Sequence, residues 1–161
     1  MADVTQAIAA PTTQNAIELV KDDHKSIRAG FDALLAALRA DTSEADRQGL
    51  LSRLALRLRA HGAIEVASLY PVLREAGADA QAAVAEHAEF ERALEQLSGQ
   101  QAPWPNRLEA LQGLAARVMR HFDEEERGLL ARAPGTGVDL LALGTQMAIH
   151  RGELLADLGT D

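Results

Sequence analysis

Apolar residues recur through most of this chain at alternating spacings of three and four positions, the period that aligns side chains on one face of an α-helix. The first run is Ile17, Val20, His24, Ile27, Phe31, Leu34 and Leu38, and the second is Leu51, Leu54, Leu58, His61, Glu65, Ser68 and Val72. The third is Ala80, Ala83, His87, Phe90, Leu94 and Leu97, and the fourth is Leu108, Leu111, Ala115, Val118, His121, Glu125 and Leu129. A fifth run extends from about Val138 to Leu158. Five helices are therefore predicted, and the fold class is expected to be all-α.

Turn-forming residues between the runs predict where the helices begin and end. Ser43 is placed to cap the second helix with Asp46 three residues later. Pro71 should kink or shorten that helix near its end, because proline donates no backbone hydrogen bond. Asn106 is expected to begin the fourth helix after the segment Pro103-Trp104-Pro105, with Trp104 plugging the loop.

The connections between the first four runs are short, which favours antiparallel neighbours. An up-down-up-down four-helix bundle with an appended C-terminal helix is therefore predicted. Residues 1–15 lack periodicity and are expected to form an N-terminal arm. The bundle should cover residues 16–134, and the helix in 135–161 should pack on the bundle or on a partner.

Composition narrows the classes of protein to consider. The 161 residues include 47% apolar residues, which suits one compact domain, and no cysteine, which excludes disulfides and thiolate metal sites. A net charge of −8 argues against binding to nucleic acid. No run reaches the roughly 18 apolar residues of a membrane span, and the N-terminus does not resemble a signal peptide. We expect a soluble, cytoplasmic protein without nucleic-acid or membrane partners; no feature identifies a protein partner.

Four of the five histidines occupy positions on these stripes where an apolar core residue would otherwise be expected: His24, His61, His87 and His121. Four independent histidines would fall on core positions by chance only about 1 to 3% of the time, since a core stripe takes roughly 2/7 to 3/7 of a helix. One buried histidine is usually a hydrogen-bonded core residue, but four together with two carboxylates leave many polar groups to satisfy. A shared metal satisfies them together.

Two of these histidines are followed four residues later by glutamate, giving the pairs His61–Glu65 and His121–Glu125. Residues four apart share a helix face, so each pair can present a nitrogen and a carboxylate to one cavity. Imidazole and carboxylate without sulfur suit iron, manganese or zinc. Six protein ligands exceed the need of one tetrahedral zinc and indicate two metals about 3.5–4 Å apart. The Glu-x-x-His spacing of ferritin-like proteins is absent from the sequence.

The sequence also contains an internal repeat. Asp23-His24 followed by His61-x-x-x-Glu65 is matched by Glu86-His87 followed by His121-x-x-x-Glu125. Each predicted helical hairpin thus supplies the same set of candidate ligands. Glu86 and Glu89 are assigned either to solvent or to the acceptors that ligand histidines use for their second ring nitrogen.

The order of His24, His61 with Glu65 and the following Leu69-Tyr70-Pro71, Glu86-His87, and His121 with Glu125 resembles the hemerythrin-like, HHE cation-binding family. The resemblance covers residues 17 to about 132. It implies a four-helix bundle with a non-haem di-iron centre, in which Glu65 and Glu125 bridge two iron ions and the four histidines are terminal ligands. Zinc or manganese is the alternative metal.

One departure from the family pattern concerns position 91. Oxygen-carrying hemerythrins have a second histidine four residues after the ligand of the third helix, where this chain has Glu91. The absence of this histidine argues against reversible oxygen transport, and Glu91 in its place becomes a seventh candidate ligand. His150 lies outside the family pattern. Tyr70 is assigned to core packing, because an α-helix would place it roughly 140° around the axis from Glu65.

Members of the family bind oxygen or nitric oxide, sense oxygen or iron, store iron, or decompose peroxide. The resemblance therefore implies a protein that binds or senses a small diatomic or peroxide ligand, or handles iron. One alternative is an oxidoreductase that consumes peroxide or nitric oxide at the same site. Binding is favoured over turnover because the sequence offers no general acid beyond the ligands. The other alternative is a zinc-bound or metal-free helical interaction module.

Overall fold

A computed structural model describes residues 14–99 and 103–158. Most of the predicted N-terminal arm, residues 1–13, lies outside the described residues. In the described ranges every regular element is helical: α1 Ala16–Arg39, α2 Glu44–Ile64, a π-helical turn Glu65–Leu69, α3 Tyr70–Glu75, α4 Gln81–Gly99, α5 Trp104–Arg127, α6 Leu129–Arg132, a 3₁₀ turn Ala133–Thr136 and α7 Leu140–Leu158. The predicted all-α class is confirmed.

Four long helices pack in a closed ring. Helix α1 contacts α2 and α5, and α4 contacts the same two helices from the opposite side. Helix α7 packs against α1 and α2, on the outside of the ring. Among the described residues, no helix combines the length and hydrophobicity needed to span a bilayer.

The apolar core consists of two clusters at different heights along the bundle. One is built around Phe31, Phe90 and Phe122. The other contains Leu19 and Tyr70, and α7 contributes Leu143 and Met147 to it. The four stripe histidines fall between residues of the two clusters, so a polar layer is enclosed by apolar layers above and below. This arrangement keeps the polar layer away from bulk water.

Local sequence explains where most helices begin. The Ser43 side chain accepts a hydrogen bond from the amide of Asp46 at 3.1 Å, which confirms the predicted cap of α2. Helix α5 begins at Trp104, two residues before the predicted start at Asn106. The prolines on either side permit this earlier start, because amides in the first turn of a helix have no partner within the helix to lose. Trp104 is consequently a buried residue of the first helical turn and not a loop plug.

Pro71 affects the second run differently from the predicted kink or shortening. The helix widens immediately before the proline into the π-helical turn Glu65–Leu69, in which the amide of Tyr70 bonds to the carbonyl of Glu65. An ordinary α-helix would place the proline ring against the carbonyl four residues earlier and leave that carbonyl without a donor. The extra residue in the turn changes the direction of every side chain that follows it.

Candidate metal centre

The six predicted ligands meet in the polar layer of the bundle, and all of them are buried. Donor atoms of His24, His61, Glu65 and Glu125 all lie within 4.8 Å of one another. A second group, with the same spacing, is formed by Glu65, His87 and His121. Glu65 belongs to both groups, so its carboxylate lies between two sets of nitrogen donors.

The Nε2 atoms of the histidines face the two carboxylates. Glu65 Oε2 lies 2.8 Å from Nε2 of His87 and 3.3 Å from Nε2 of His61. Glu125 Oε2 lies 3.3 Å from Nε2 of His24 and 4.0 Å from Nε2 of His121. All four rings therefore direct the same nitrogen towards the centre of the bundle.

Several of these inward-facing atoms have no hydrogen-bond partner. They are Nε2 of His24, Nε2 of His61, Oε1 of Glu65 and both carboxylate oxygens of Glu125. A buried polar atom without a partner costs on the order of 1–3 kcal/mol, so five at one place would be expensive in a site built for packing alone. Nitrogen and carboxylate oxygen are common metal donors, and the arrangement fits one or more cations.

The pKa values of the two carboxyl groups, Glu65 and Glu125, are shifted in opposite directions. Burial raises the pKa of Glu65 well above its ordinary value, and the nearby Glu125 raises it further. Burial also acts to raise the pKa of Glu125, but its contact with His24 and the neighbouring imidazoles outweigh that effect and lower the pKa to about 2. In the metal-free site, charge on Glu65 is therefore disfavoured and charge on Glu125 is favoured. A bound cation would favour the charged form of both carboxylates.

Two of the histidines are held in the neutral form that metal ligation requires. Burial lowers the pKa of His87 to about 4. Burial also lowers the pKa of His121, and the neighbouring His87 lowers it further. At neutral pH both rings can therefore offer a nitrogen lone pair without first releasing a proton.

Carboxylates outside the six ligands contact the Nδ1 atoms of three histidines. Glu86 Oε2 lies 2.7 Å from Nδ1 of His121, so Glu86 is the hydrogen-bond acceptor for the second ring nitrogen of this histidine. Glu126 Oε1 lies 2.8 Å from Nδ1 of His24. The acidic run Asp123-Glu124-Glu125-Glu126 is expected from the sequence to be a mostly solvated turn, with only Glu125 at ligand spacing. Glu126 departs from that expectation, because the turn of α5 directs its carboxylate towards α1.

Asp23 takes the corresponding position beside His61, with 3.8 Å between Oδ2 and Nδ1. The internal repeat in the sequence thus has a structural meaning. Asp23 and Glu86 each precede one stripe histidine and approach the histidine of the partner helix in the repeat. This pairing was a signal in the sequence for two of the three outer carboxylates.

Tyr70 is buried as expected, but its predicted separation from Glu65 is wrong. The phenol donates a hydrogen bond to Oε2 of Glu65 at 3.0 Å and lies 3.0 Å from Nε2 of His87. The 140° estimate assumed α-helical geometry, whereas the π-helical turn rotates each residue by a smaller angle. The phenol oxygen therefore reaches the donor groups.

The remaining candidates lie elsewhere. The Glu91 side chain is 57% exposed and lies 3.8 Å from the Arg59 guanidinium, outside both groups of donors. His150 is half-buried on α7 and also lies outside both groups. The structure therefore brings the six predicted ligands together and leaves Glu91 and His150 outside both groups.

A cavity of about 320 Å³ opens beside His87, between α2 and α4. Its lining is mainly apolar and includes Leu58, Ala63 and Val66, with Glu91 at the same opening. Gly62 also borders it, and a Cβ atom at Gly62 would lie 2.8 Å from Nδ1 of His87. The glycine therefore gives the imidazole its space.

A family model for the hemerythrin HHE cation-binding domain matches residues 15–133. The chain belongs to this family. The family resemblance stated from the sequence is confirmed, and with it the expectation that this HHE domain binds metal cations. Neither the curated proteins nor the solved structures contain a match to the chain. The HHE match ends before α7, which begins at Leu140.

Proposed function

We propose that the chain is a non-haem di-iron protein that binds or senses small oxidants such as oxygen, nitric oxide or peroxide. The main support is the division of the buried donors into two groups that share Glu65. One metal would be held by His24, His61 and the two glutamates, and the second by His87 and His121 with Glu65. A shared carboxylate is the usual means of keeping two cations close together.

The donor chemistry is compatible with iron. The sequence contains no cysteine, and the buried donors combine imidazole with carboxylate, a mixture that suits iron or manganese and also accommodates zinc. Two carboxylates and four neutral imidazoles would leave two divalent cations with net positive charge. An anionic or electron-rich small ligand would reduce that charge.

Iron would supply a reversible change of oxidation state and coordination positions for an external ligand. The chain supplies the surroundings. Apolar layers on both sides keep the site dry, and the cavity beside His87 offers a short route to it between α2 and α4. The lining of that route is mainly apolar, although Arg59 and Glu91 also border it, and it suits molecules of a few atoms.

Tyr70 lies at the donor groups, whereas Glu91, the seventh candidate ligand, lies outside them. Its phenol oxygen lies beside both Glu65 and His87, at the edge of the second donor group. In the proposed site it either donates a hydrogen bond to Glu65 or stabilises a small ligand beside the second metal.

The proposal includes the up-down-up-down helix direction and a bundle that spans residues 16–134.

Metal content tests the proposal. Protein purified without added metal, and apo-protein reconstituted anaerobically with ferrous iron, should each contain two iron ions per chain. The iron-loaded protein should gain near-ultraviolet absorption on exposure to oxygen, nitric oxide or peroxide. The variant His61→Ala/His121→Ala should lose both properties, whereas His150→Ala, a histidine outside both donor groups, should keep them.

Two results would reject the proposal. One zinc ion per chain, with no uptake of iron, would favour the zinc-bound interaction module. Two irons with no spectral response to any of the three oxidants would remove the binding or sensing role. Steady-state consumption of peroxide or nitric oxide that depends on His61 and His121 would instead support the alternative oxidoreductase.

A further inference from the structure

Helix α7 lies beyond the HHE match but contacts the polar layer through Arg151. Arg151 forms an ion pair and hydrogen bond with Oδ1 of Asp23, 128 positions earlier in the chain. The Asp23 side chain is only 15% exposed and that of Arg151 is 28% exposed, so the pair is partly shielded from water. A shielded ion pair of this kind fixes geometry better than one on the surface.

The other oxygen of Asp23 faces a candidate metal ligand. Oδ2 lies 3.8 Å from Nδ1 of His61, and neither atom has a hydrogen-bond partner. Nδ1 is the nitrogen that His61 turns away from the donor groups, while Nε2 faces Glu65. A small approach of Asp23 would convert this contact into a hydrogen bond from the imidazole N–H to the carboxylate.

The other two outer carboxylates show the same arrangement with a different source of arginine. Glu126, beside His24, lies 3.8 Å from Arg28 of α1, and Glu86, beside His121, lies 3.6 Å from Arg120 of α5. In those two cases the four-helix ring supplies the arginine. For Asp23, beside His61, the arginine comes from α7. The appended helix therefore gives the third outer carboxylate the arginine partner that the four-helix ring gives the other two.

We propose that Arg151 is a positioning residue for the metal centre. By holding Oδ1 of Asp23, it directs Oδ2 to accept the Nδ1 proton of His61. This fixes the tautomer in which Nε2 carries the lone pair directed at the first donor group. Acceptors of this kind orient metal-bound imidazoles and raise their basicity, and their loss commonly weakens metal binding about 10- to 100-fold.

A consequence is that docking of α7 and metal binding are coupled. Metal bound to His61 would favour the docked position of α7, and α7 docked through Arg151 would favour metal binding, by the same factor. This consequence rests on the proposed function. The tautomer of His61 does not, because it can be measured in metal-free protein.

The first experiment is nitrogen-15 NMR of the His61 ring in metal-free protein at pH 8, where a neutral ring reports its tautomer. The wild-type ring should carry its proton on Nδ1. Arg151→Ala should shift it towards a mixture of tautomers, and Arg151→Lys should restore part of the wild-type state. Leu154→Ala is the matched control, because it removes packing from α7 without removing Arg151 and should leave the tautomer unchanged.

The second experiment measures affinity for ferrous iron under argon by competition with a chromophoric chelator. Arg151→Ala should bind iron about tenfold more weakly than wild type, while Leu154→Ala should stay within about twofold. An unchanged tautomer in Arg151→Ala would overturn the proposal, as would an equal change in Leu154→Ala. A changed tautomer in a protein that takes up no iron would uphold the positioning of His61 and reject the di-iron function.

Discussion

The phenol oxygen of Tyr70 lies 3.0 Å from Oε2 of Glu65, which is five residues earlier in the chain. In a regular α-helix these two side chains would point to different sides. Here the π-helical turn Glu65–Leu69 lies between them and brings the phenol back over the carboxylate. The proline that follows the tyrosine favours this widened turn, so Pro71 indirectly places a hydroxyl group at the candidate metal centre.

Replacing Tyr70 with phenylalanine tests the value of this contact. The variant Tyr70→Phe keeps the ring but removes the only donated hydrogen bond that this residue makes to Glu65. We expect the metal-free protein to lose about 0.5–1.5 kcal/mol of unfolding free energy, the usual net contribution of such a bond. Urea unfolding checks this value. An unchanged midpoint in the metal-free variant would mean that the hydrogen bond contributes nothing.

The convergence of the six buried donor residues could be predicted because its signal is local and repeated. His24, His61 and His121 interrupt apolar stripes, and the two His-x-x-x-Glu pairs need only α-helical spacing to share a face. Both conditions hold in α1, α2 and α5, where the helix is regular up to the ligands. Sequence periodicity is sufficient to predict which side chains share a face wherever the backbone keeps one helical period.

The features that sequence periodicity does not predict depend on changes of period or on contacts between distant segments. Tyr70 was misplaced because one extra residue in the turn rotates everything after it. The contact of Glu126 with His24 is not predictable, because nothing along α5 shows that α1 passes beside it. The contact of Arg151 with Asp23 joins residues 128 positions apart and depends on how α7 docks. No period within one helix contains that information.

A substitution at Gly62 tests whether the position of the His87 ring matters for metal binding, because that ring occupies the space where a side chain at position 62 would be. A Cβ atom at Gly62 would lie 2.8 Å from Nδ1 of His87, closer than such atoms approach. We expect Gly62→Ala to displace the imidazole and to weaken binding of ferrous iron roughly tenfold, comparable to losing an orienting contact. Chelator competition measures the change.

Gly113 is the matched control for this substitution. It lies within α5, and a Cβ atom there would meet nothing within 4 Å. Gly113→Ala should keep wild-type iron affinity and gain up to about 1 kcal/mol of stability, since alanine favours the helix. If Gly62→Ala bound iron as tightly as Gly113→Ala, the placement of His87 would not matter for binding.

Acid should destabilise the metal-free protein through its buried histidines. Burial lowers the pKa of His87 from 6.5 to about 4, and burial also lowers the pKa of His121. Between these values the unfolded chain takes up protons that the folded chain does not, so the free energy of unfolding falls as the pH falls from about 6.5 to 4. The raised pKa of Glu65 acts in the opposite sense, because it favours the folded state at low pH and loses that contribution as the pH rises.

Urea unfolding of chelator-treated protein at several pH values between 7.5 and 4 measures this balance. We expect the midpoint to fall with acid in the wild type and to fall less in His87→Gln, which lacks one of the two groups. Equal pH dependence in the two proteins would show that His87 is not held neutral by the fold. Metal-loaded protein should resist acid until protons displace the metal from its ligands.

Substitutions at two glycines of α7 distinguish the docking of this helix from its intrinsic stability as a helix. A Cβ atom at Gly144 would collide with the carbonyl oxygen of Gln14 and would lie 2.5 Å from the amide nitrogen of Ala16, both backbone atoms at the start of α1. Backbone cannot move aside as a flexible side chain can. At Gly152, about two turns further along the same helix, a Cβ atom would meet nothing within 4 Å.

Gly152→Ala should therefore stabilise the protein by up to about 1 kcal/mol through helix propensity, whereas Gly144→Ala should destabilise it by several kcal/mol or displace α7 from α1. Thermal unfolding measures both effects. Displacement of α7 would also withdraw Arg151 from Asp23, so Gly144→Ala should reproduce the mixed His61 tautomer expected for Arg151→Ala. A Gly144→Ala protein that unfolds earlier but keeps the wild-type tautomer would mean that Asp23 is oriented without the docked helix.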